Sequence, residues 1–115
     1  MLFFQNINTT NITRIRNGRV ELVNPKTGSL IKTIYMNNSK AIDSDLNIDG
    51  KIAVITLENG NVCTYKIDGS PLKTIFMSGS NKANRARFDG TNVVIYLNNG
   101  KCQLTKPDGS PIKTF

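Results

Sequence analysis

Two stretches of the chain that lie 40 residues apart have closely similar sequences. Residues 59–75 read NGNVCTYKIDGSPLKTI and residues 99–115 read NGKCQLTKPDGSPIKTF, with 9 identities in 17 positions and no gap. Residues 17–34, NGRVELVNPKTGSLIKTI, are a weaker third copy with one extra residue in the second turn. A chain with such copies is built by repeating one structural unit, so its fold must be a repeated one.

Each copy is expected to contain four short strands that are separated by turns. Asn-Gly and Asp-Gly pairs recur at fixed places, and they predict hairpin turns of type I′, which need positive φ at both central residues. The segments KIAVITL and NVVIYL are almost continuously apolar, which is typical of strands buried on both faces. The strands that start at Pro71 and Pro111 also carry lysine, which suits a sheet edge. No segment has helical spacing, so we predict an all-β chain.

This layout, with an inner buried strand and an outer polar one in each unit of about 40 residues, resembles the blades of a β-propeller. The resemblance implies one domain, residues 1–115, of three propeller-like four-stranded blades at 1–36, 37–77 and 78–115. Propellers typically have four to eight blades, so we expect two chains to close a six-bladed propeller as a homodimer. An open stack or β-solenoid, or a compact two-sheet barrel, is the alternative. The Trp-Asp signature of the WD40 family is absent, since the chain has no Trp.

Positive charge is concentrated in the first and third blades. The chain has 15 Lys and Arg against 8 Asp and Glu, a net charge of +7, and no His. Residues 1–36 hold five cations and one carboxylate, residues 37–77 four and five, and residues 78–115 six and two. In a ring of two chains the basic blades would meet at the seams. This predicts a non-catalytic binding or scaffold module whose partner is anionic: nucleic acid, a phosphorylated ligand or an acidic protein.

Five basic side chains are the candidate ligand-binding residues, because arginine grips phosphate or carboxylate through its planar fork. They are Arg14, Arg16, Lys82, Arg85 and Arg87. For the last three an alternative stays open. Asp43 and Asp45 occupy roughly equivalent places in the second blade, so neighbouring inner strands would simply pair Asp with Arg.

The other basic residues have structural interpretations. The repeat alignment matches Arg14 and Arg16 with polar positions of the other blades, which indicates a solvated or seam-facing strand. Lys32, Lys73 and Lys113 recur in one sequence context, and protection of an edge strand explains them without a ligand.

Several classes of function are disfavoured. Cys63 and Cys102 fall at non-equivalent positions, so we expect no disulfide, and no His is present to activate a thiol. We expect no metal site, no cofactor and no membrane partner, since no apolar run approaches the length of a span. The start of the chain lacks a basic leader, which predicts a cytoplasmic protein. Two alternative functions remain: a lectin-like propeller, and a small hydrolase or isomerase that uses Asp43 and Asp45.

Overall fold

The computed structural model describes residues 11–115, which form eleven antiparallel strands in three separate sheets and no helix. The first sheet comprises β1 (Ile12–Arg16), β2 (Arg19–Val23) and β3 (Leu30–Tyr35). The second sheet comprises β4 (Ala41–Leu46), β5 (Ile52–Leu57), β6 (Val62–Lys66) and β7 (Pro71–Phe76). The third sheet comprises β8 (Ala83–Asp89), β9 (Asn92–Leu97), β10 (Cys102–Thr105) and β11 (Pro111–Thr114).

Each sheet is a meander in which the strands pair in sequence order. The all-β prediction is therefore confirmed. The fourth strand predicted for the first blade falls outside the described residues, and the division of the whole chain into three blades stays a prediction. In residues 11–115 there is no helix long and apolar enough to cross a membrane.

The hairpin turns differ in length between the sheets. Asn17 and Gly18 have φ values of 55° and 75°, so the β1–β2 hairpin has the predicted two-residue type I′ turn. In the β5–β6 hairpin the Leu57 N–H donates to the Asn61 carbonyl across a three-residue loop, in which Gly60 has a φ of 91°. Within residues 11–115, Asn17 is the only residue other than glycine with positive φ. The type I′ prediction is thus wrong for the other Asn-Gly and Asp-Gly turns.

The shorter first turn shifts the register of β1 by one residue relative to β5. Arg14 lies opposite Glu21 in the first sheet. The structurally equivalent residue of the second sheet is Ile55, which lies opposite Cys63. By the same comparison, Leu57 of the second sheet is the structural equivalent of Arg16. The repeat alignment, which placed both arginines at polar positions, is wrong by one residue. Both lie instead on the face whose counterpart in the second sheet holds Ile55 and Leu57 and packs in the core of the first seam.

The three sheets stack face to face, and each of the two seams has its own apolar core. The core between the first and second sheets includes Val20, Ile34 and Ile55, and the core between the second and third includes Val54, Val62 and Ile95. β5 is buried on both faces, as predicted from its continuous apolar sequence. β3, β7 and β11 are edge strands, and all four residues of β11 are exposed.

One backbone contact recurs at both seams. The Ala41 N–H donates to the Gly18 carbonyl at 2.9 Å, and the Ala83 N–H donates to the Gly60 carbonyl at 3.1 Å. Each glycine belongs to a hairpin turn, and each amide begins the innermost strand of the next sheet. A Cβ atom at Gly60 would lie 2.6 Å from the Cβ of Lys82, so only glycine allows this approach.

We expect Gly60→Ala to destabilise the protein more than Gly100→Ala. Gly100 has the same turn and a φ of 86°, but an added Cβ there meets nothing within 4 Å. Both substitutions place alanine in the left-handed region, at a cost of about 1–2 kcal/mol. Gly60→Ala adds overcrowding at the seam, at a further cost of about 1–3 kcal/mol.

Urea denaturation of the two variants measures the difference between their free energies of unfolding. Equal losses of stability would show that the turn of the second sheet is not packed against the third.

Candidate functional site

Backbone amides of β8, the innermost strand of the third sheet, donate hydrogen bonds to two carboxylates of the second sheet. Asp43 Oδ2 accepts from the Ala86 N–H at 3.0 Å, and Asp45 Oδ2 accepts from the Phe88 N–H at 2.9 Å. These amides point away from β9 and are not used in the sheet, so the carboxylates satisfy donors at a sheet edge. The two carboxylates, two residues apart on β4, face one side of that strand as the sequence predicted.

Asp43 also holds Arg87. The Nη1 atom of Arg87 lies 2.7 Å from Asp43 Oδ2 and donates as well to the Ala86 carbonyl at 2.7 Å. The hydrogen bond to Asp43 raises the pKa of Arg87 above its ordinary value, although burial of the guanidinium opposes the rise. The alternative prediction, an Asp–Arg pair between neighbouring inner strands, is therefore what the structure shows for Arg87. Asp43 and Asp45 thus both bind β8 across this seam.

Arg85 has a different environment from Arg87. Its guanidinium lies over the ring of Tyr96, 5.0 Å from the ring centroid, and the residue is exposed. Within residues 11–115 Arg85 forms no ion pair, because Asp43 pairs with Arg87 instead. It is thus a cation that is held in place by an aromatic ring and free to meet an anion.

Lys82 belongs to the seam between the second and third sheets. Its carbonyl accepts a hydrogen bond from Asn98, and its stem passes directly beside Gly60. The side chain is exposed, but its position is set by the contact of the two sheets rather than by Arg85.

Arg14 and Arg16 lie at the other end of the stack, on the face of the first sheet that points away from the second. Both bind Glu21: Arg14 Nη2 lies 2.9 Å from Oε1, and Arg16 Nη2 lies 3.3 Å from Oε2. Glu21 is 1% exposed. Burial disfavours its ionised form, yet the hydrogen bonds and charges of the two arginines outweigh burial and hold the pKa of Glu21 below its ordinary value.

The structure therefore divides the five predicted residues among three places. Two lie on the first sheet, Lys82 lies at the second seam, and Arg85 and Arg87 lie on β8. They do not form one site within a single chain.

A cleft between the first and second sheets was not predicted from the sequence. It has a volume of about 330 Å³ and is lined by Tyr35, Tyr65 and Cys63. The two tyrosine rings meet edge to face at 5.3 Å, and the Tyr35 hydroxyl donates to the Ser39 carbonyl at 2.6 Å. The pairing of residues 30 positions apart on different sheets leaves no local sequence signal, which is why the cleft was missed.

The cleft does not hold a reactive thiol. Burial raises the pKa of Cys63 to about 11, so the thiol stays protonated at neutral pH. Cys63 and Cys102 are both free and lie on different sheets. In the described part of the chain there is no cluster of three His, Cys, Asp or Glu residues suited to a metal ion.

No protein-family model and no curated protein matches this sequence. Solved structures do match, among them a chain of the "Crystal Structure of Mitotic Checkpoint Complex". The TM-score is 0.77 and the sequence identity 15%, over 94% of this chain and 34% of that chain. The present chain thus spans about a third of the length of its structural neighbour. At this identity the likeness shows the fold alone, an all-β architecture of propeller-like sheets.

We expect Glu21→Gln to reduce the pH dependence of stability on the acid side. Because the pKa of Glu21 is lower in the folded than in the unfolded protein, its contribution is present above the unfolded-state pKa. That contribution is lost as the pH falls through the folded-state pKa. The wild type should therefore lose more stability than Glu21→Gln between neutral and acidic pH.

Urea denaturation at several pH values in this range measures the free energy of unfolding of the wild type and of Glu21→Gln. Asp89→Asn is the control, since Asp89 is an exposed carboxylate at the end of β8. If Glu21→Gln and Asp89→Asn show the same pH profile, the paired arginines do not stabilise the ionised form of Glu21.

Proposed function

We propose that this chain is a non-catalytic interaction scaffold that binds an anionic partner through the two end faces of its stack of sheets. The observation that carries the proposal is the distribution of cations on those faces. On the first sheet, Arg14, Arg16 and Arg19 share the face that points away from the second sheet. On the third sheet, Arg85, Arg87 and Lys113 share the face that points away from the second sheet.

The carboxylates at the two ends do not balance these cations. Glu21 is shared by two arginines, and Asp43 is taken up by Arg87 and a backbone amide. An added anion therefore meets guanidinium and ammonium groups with spare hydrogen-bond donors. Arginine suits this role because its fork binds carboxylate and phosphate in the same planar geometry.

The propeller-like fold supports a scaffold role in a general way, since the end faces of the three stacked sheets are extended surfaces. The structural neighbour is a chain of a complex, as its title says. A cytoplasmic location, which the sequence predicts, belongs to the same proposal.

We expect polyanions to bind with an affinity that falls steeply with salt. A fluorescent single-stranded oligonucleotide and poly-L-glutamate are the two probes, measured by anisotropy. For an end face that neutralises three phosphates, the affinity for the oligonucleotide should fall roughly 20-fold between 50 and 200 mM salt. Arg85→Glu should weaken binding at least threefold.

Lys51→Glu is the matched control, because it changes an exposed cation in the β4–β5 turn, away from both end faces. Failure of both probes to bind at low salt would overturn the proposal. If the oligonucleotide binds with an affinity that does not change with salt, nucleic acid is not the anionic partner.

The homodimer that would close a six-bladed propeller stays a prediction, and the charges described above oppose it. Closure would bring the end face of the third sheet against that of the first, so that like charges meet. Repulsion between such charges is strongest at low salt, because the Debye length is then longest.

We therefore expect the mass in solution to be that of one chain, 12.7 kDa, at low salt and without a polyanion. Light scattering on a sizing column measures it. Twice that mass under these conditions would show that the ring closes despite the charges. Twice that mass only with a polyanion present would place the anion at the seam.

A further inference from the structure

The outward face of the third sheet reproduces, position by position, a face of the second sheet that is covered. We call it the open face; its residues are Arg85, Arg87, Val94, Tyr96, Cys102, Leu104 and Lys113. The matching residues of the second sheet, in the same order, are Asp43, Asp45, Val54, Thr56, Val62, Thr64 and Lys73. In residues 11–115 no sheet packs on the open face.

The apolar part of the open face is built like an interior. Val54, Thr56 and Val62 are 0% exposed because the third sheet covers them. Their counterparts Val94, Tyr96 and Cys102 are only partly buried. Two of the replacements, Tyr96 for Thr56 and Leu104 for Thr64, make the open face more apolar than the covered one. An uncovered apolar patch framed by charges is typical of a protein interaction site.

The polar part of the open face has the opposite hydrogen-bonding character. At the covered seam, Asp43 and Asp45 accept hydrogen bonds from the neighbouring strand. On the open face, arginines stand at both positions; the guanidinium of Arg87 reaches back to Asp43 at the seam, and that of Arg85 stays on the open face, where it donates only. An element that covers the open face must therefore bring acceptors. An arginine–carboxylate pair between neighbouring sheets already occurs in this chain, since Arg87 binds Asp43 across a seam at 2.7 Å.

The first blade of a second copy, which closure of a ring would bring against the open face, has no carboxylate to spare. Residues 1–36 contain a single carboxylate, Glu21, which is buried and already bound by two arginines. A nucleic acid would supply phosphates for Arg85, but its sugar–phosphate backbone does not match the apolar centre formed by Val94, Cys102 and Leu104. A polypeptide offers carboxylates and apolar side chains together.

We propose that the open face binds a β-structured segment of another protein, which carries Asp or Glu opposite Arg85 and apolar side chains opposite Val94, Cys102 and Leu104. This inference rests on the proposed function and names its partner class. Arg85, held over Tyr96, forms the principal ion pair, and Lys113 forms a second contact at the edge.

The probe is a synthetic β-hairpin peptide with an Asn-Gly turn, in which one strand presents Asp and the other Val on the same face. This layout copies β4 and β5 of the second sheet. Two matched peptides carry Asn or Lys in place of Asp. Binding is measured by calorimetry, and occupancy of the open face is read from the rate at which a thiol reagent labels Cys102, because Cys63 is buried.

We expect the Asp hairpin to bind and to slow the labelling of Cys102 at least fivefold, and the Asn and Lys hairpins to do neither. Arg85→Glu should weaken binding of the Asp hairpin at least tenfold, while Lys51→Glu should leave it within twofold. Circular dichroism of each variant confirms that it is folded. Equal binding of the Asp and Asn hairpins, or no effect of Arg85→Glu in a folded variant, would overturn the inference.

The other occupants give distinct results. If the oligonucleotide or poly-L-glutamate binds but the Asp hairpin neither binds nor protects Cys102, the scaffold function stands and its partner class is wrong. If no anion binds, both proposals fail. If Cys102 is protected without any probe and the mass is twice 12.7 kDa, a second copy covers the open face and the inference is wrong.

Discussion

A sheet with apolar side chains on both faces is stable only when both faces are covered, and this requirement organises the whole molecule. The second sheet meets it inside the chain, with the first sheet on one side and the third on the other. The seam between the second and third sheets also needs hydrogen-bond acceptors, because the backbone amides at the free edge of β8 would otherwise lack partners. Asp43 and Asp45 supply those acceptors, so burial of the core and satisfaction of the sheet edge are achieved by one contact.

The order of the strands could be predicted from the sequence because the signals are local. A continuous apolar run marked the buried strand β5, and proline marked the edge strand β11. The same prediction is wrong for β9, which is fully buried only at Val93 and Ile95 on the face toward the second sheet. Turn length could not be predicted, since the same Asn-Gly pair serves a two-residue turn in the first sheet and a three-residue turn in the second. A difference of one residue reverses the face of every side chain in the strand.

The candidate site was predicted in its composition but not in its arrangement. The repeat alignment brought Asp43 and Asp45 to the same positions as Arg85 and Arg87, which made a pairing between sheets foreseeable. Which arginine pairs was not foreseeable, because it depends on how a guanidinium bends around the edge of β8 to reach Asp43. The edge-to-face contact of Tyr35 and Tyr65 is a product of stacking and has no counterpart in the sequence pattern.

The presence of cations at both ends of the stack has a consequence for growth in concentrated solution. A repeat unit whose two ends are complementary adds to itself head to tail, and it forms a filament wherever the contacts do not close into a ring. Here both end faces carry arginines, so the end of one copy repels the end of the next. The arginines that face outward from the first and third sheets therefore oppose lengthening of the stack by further copies of the chain.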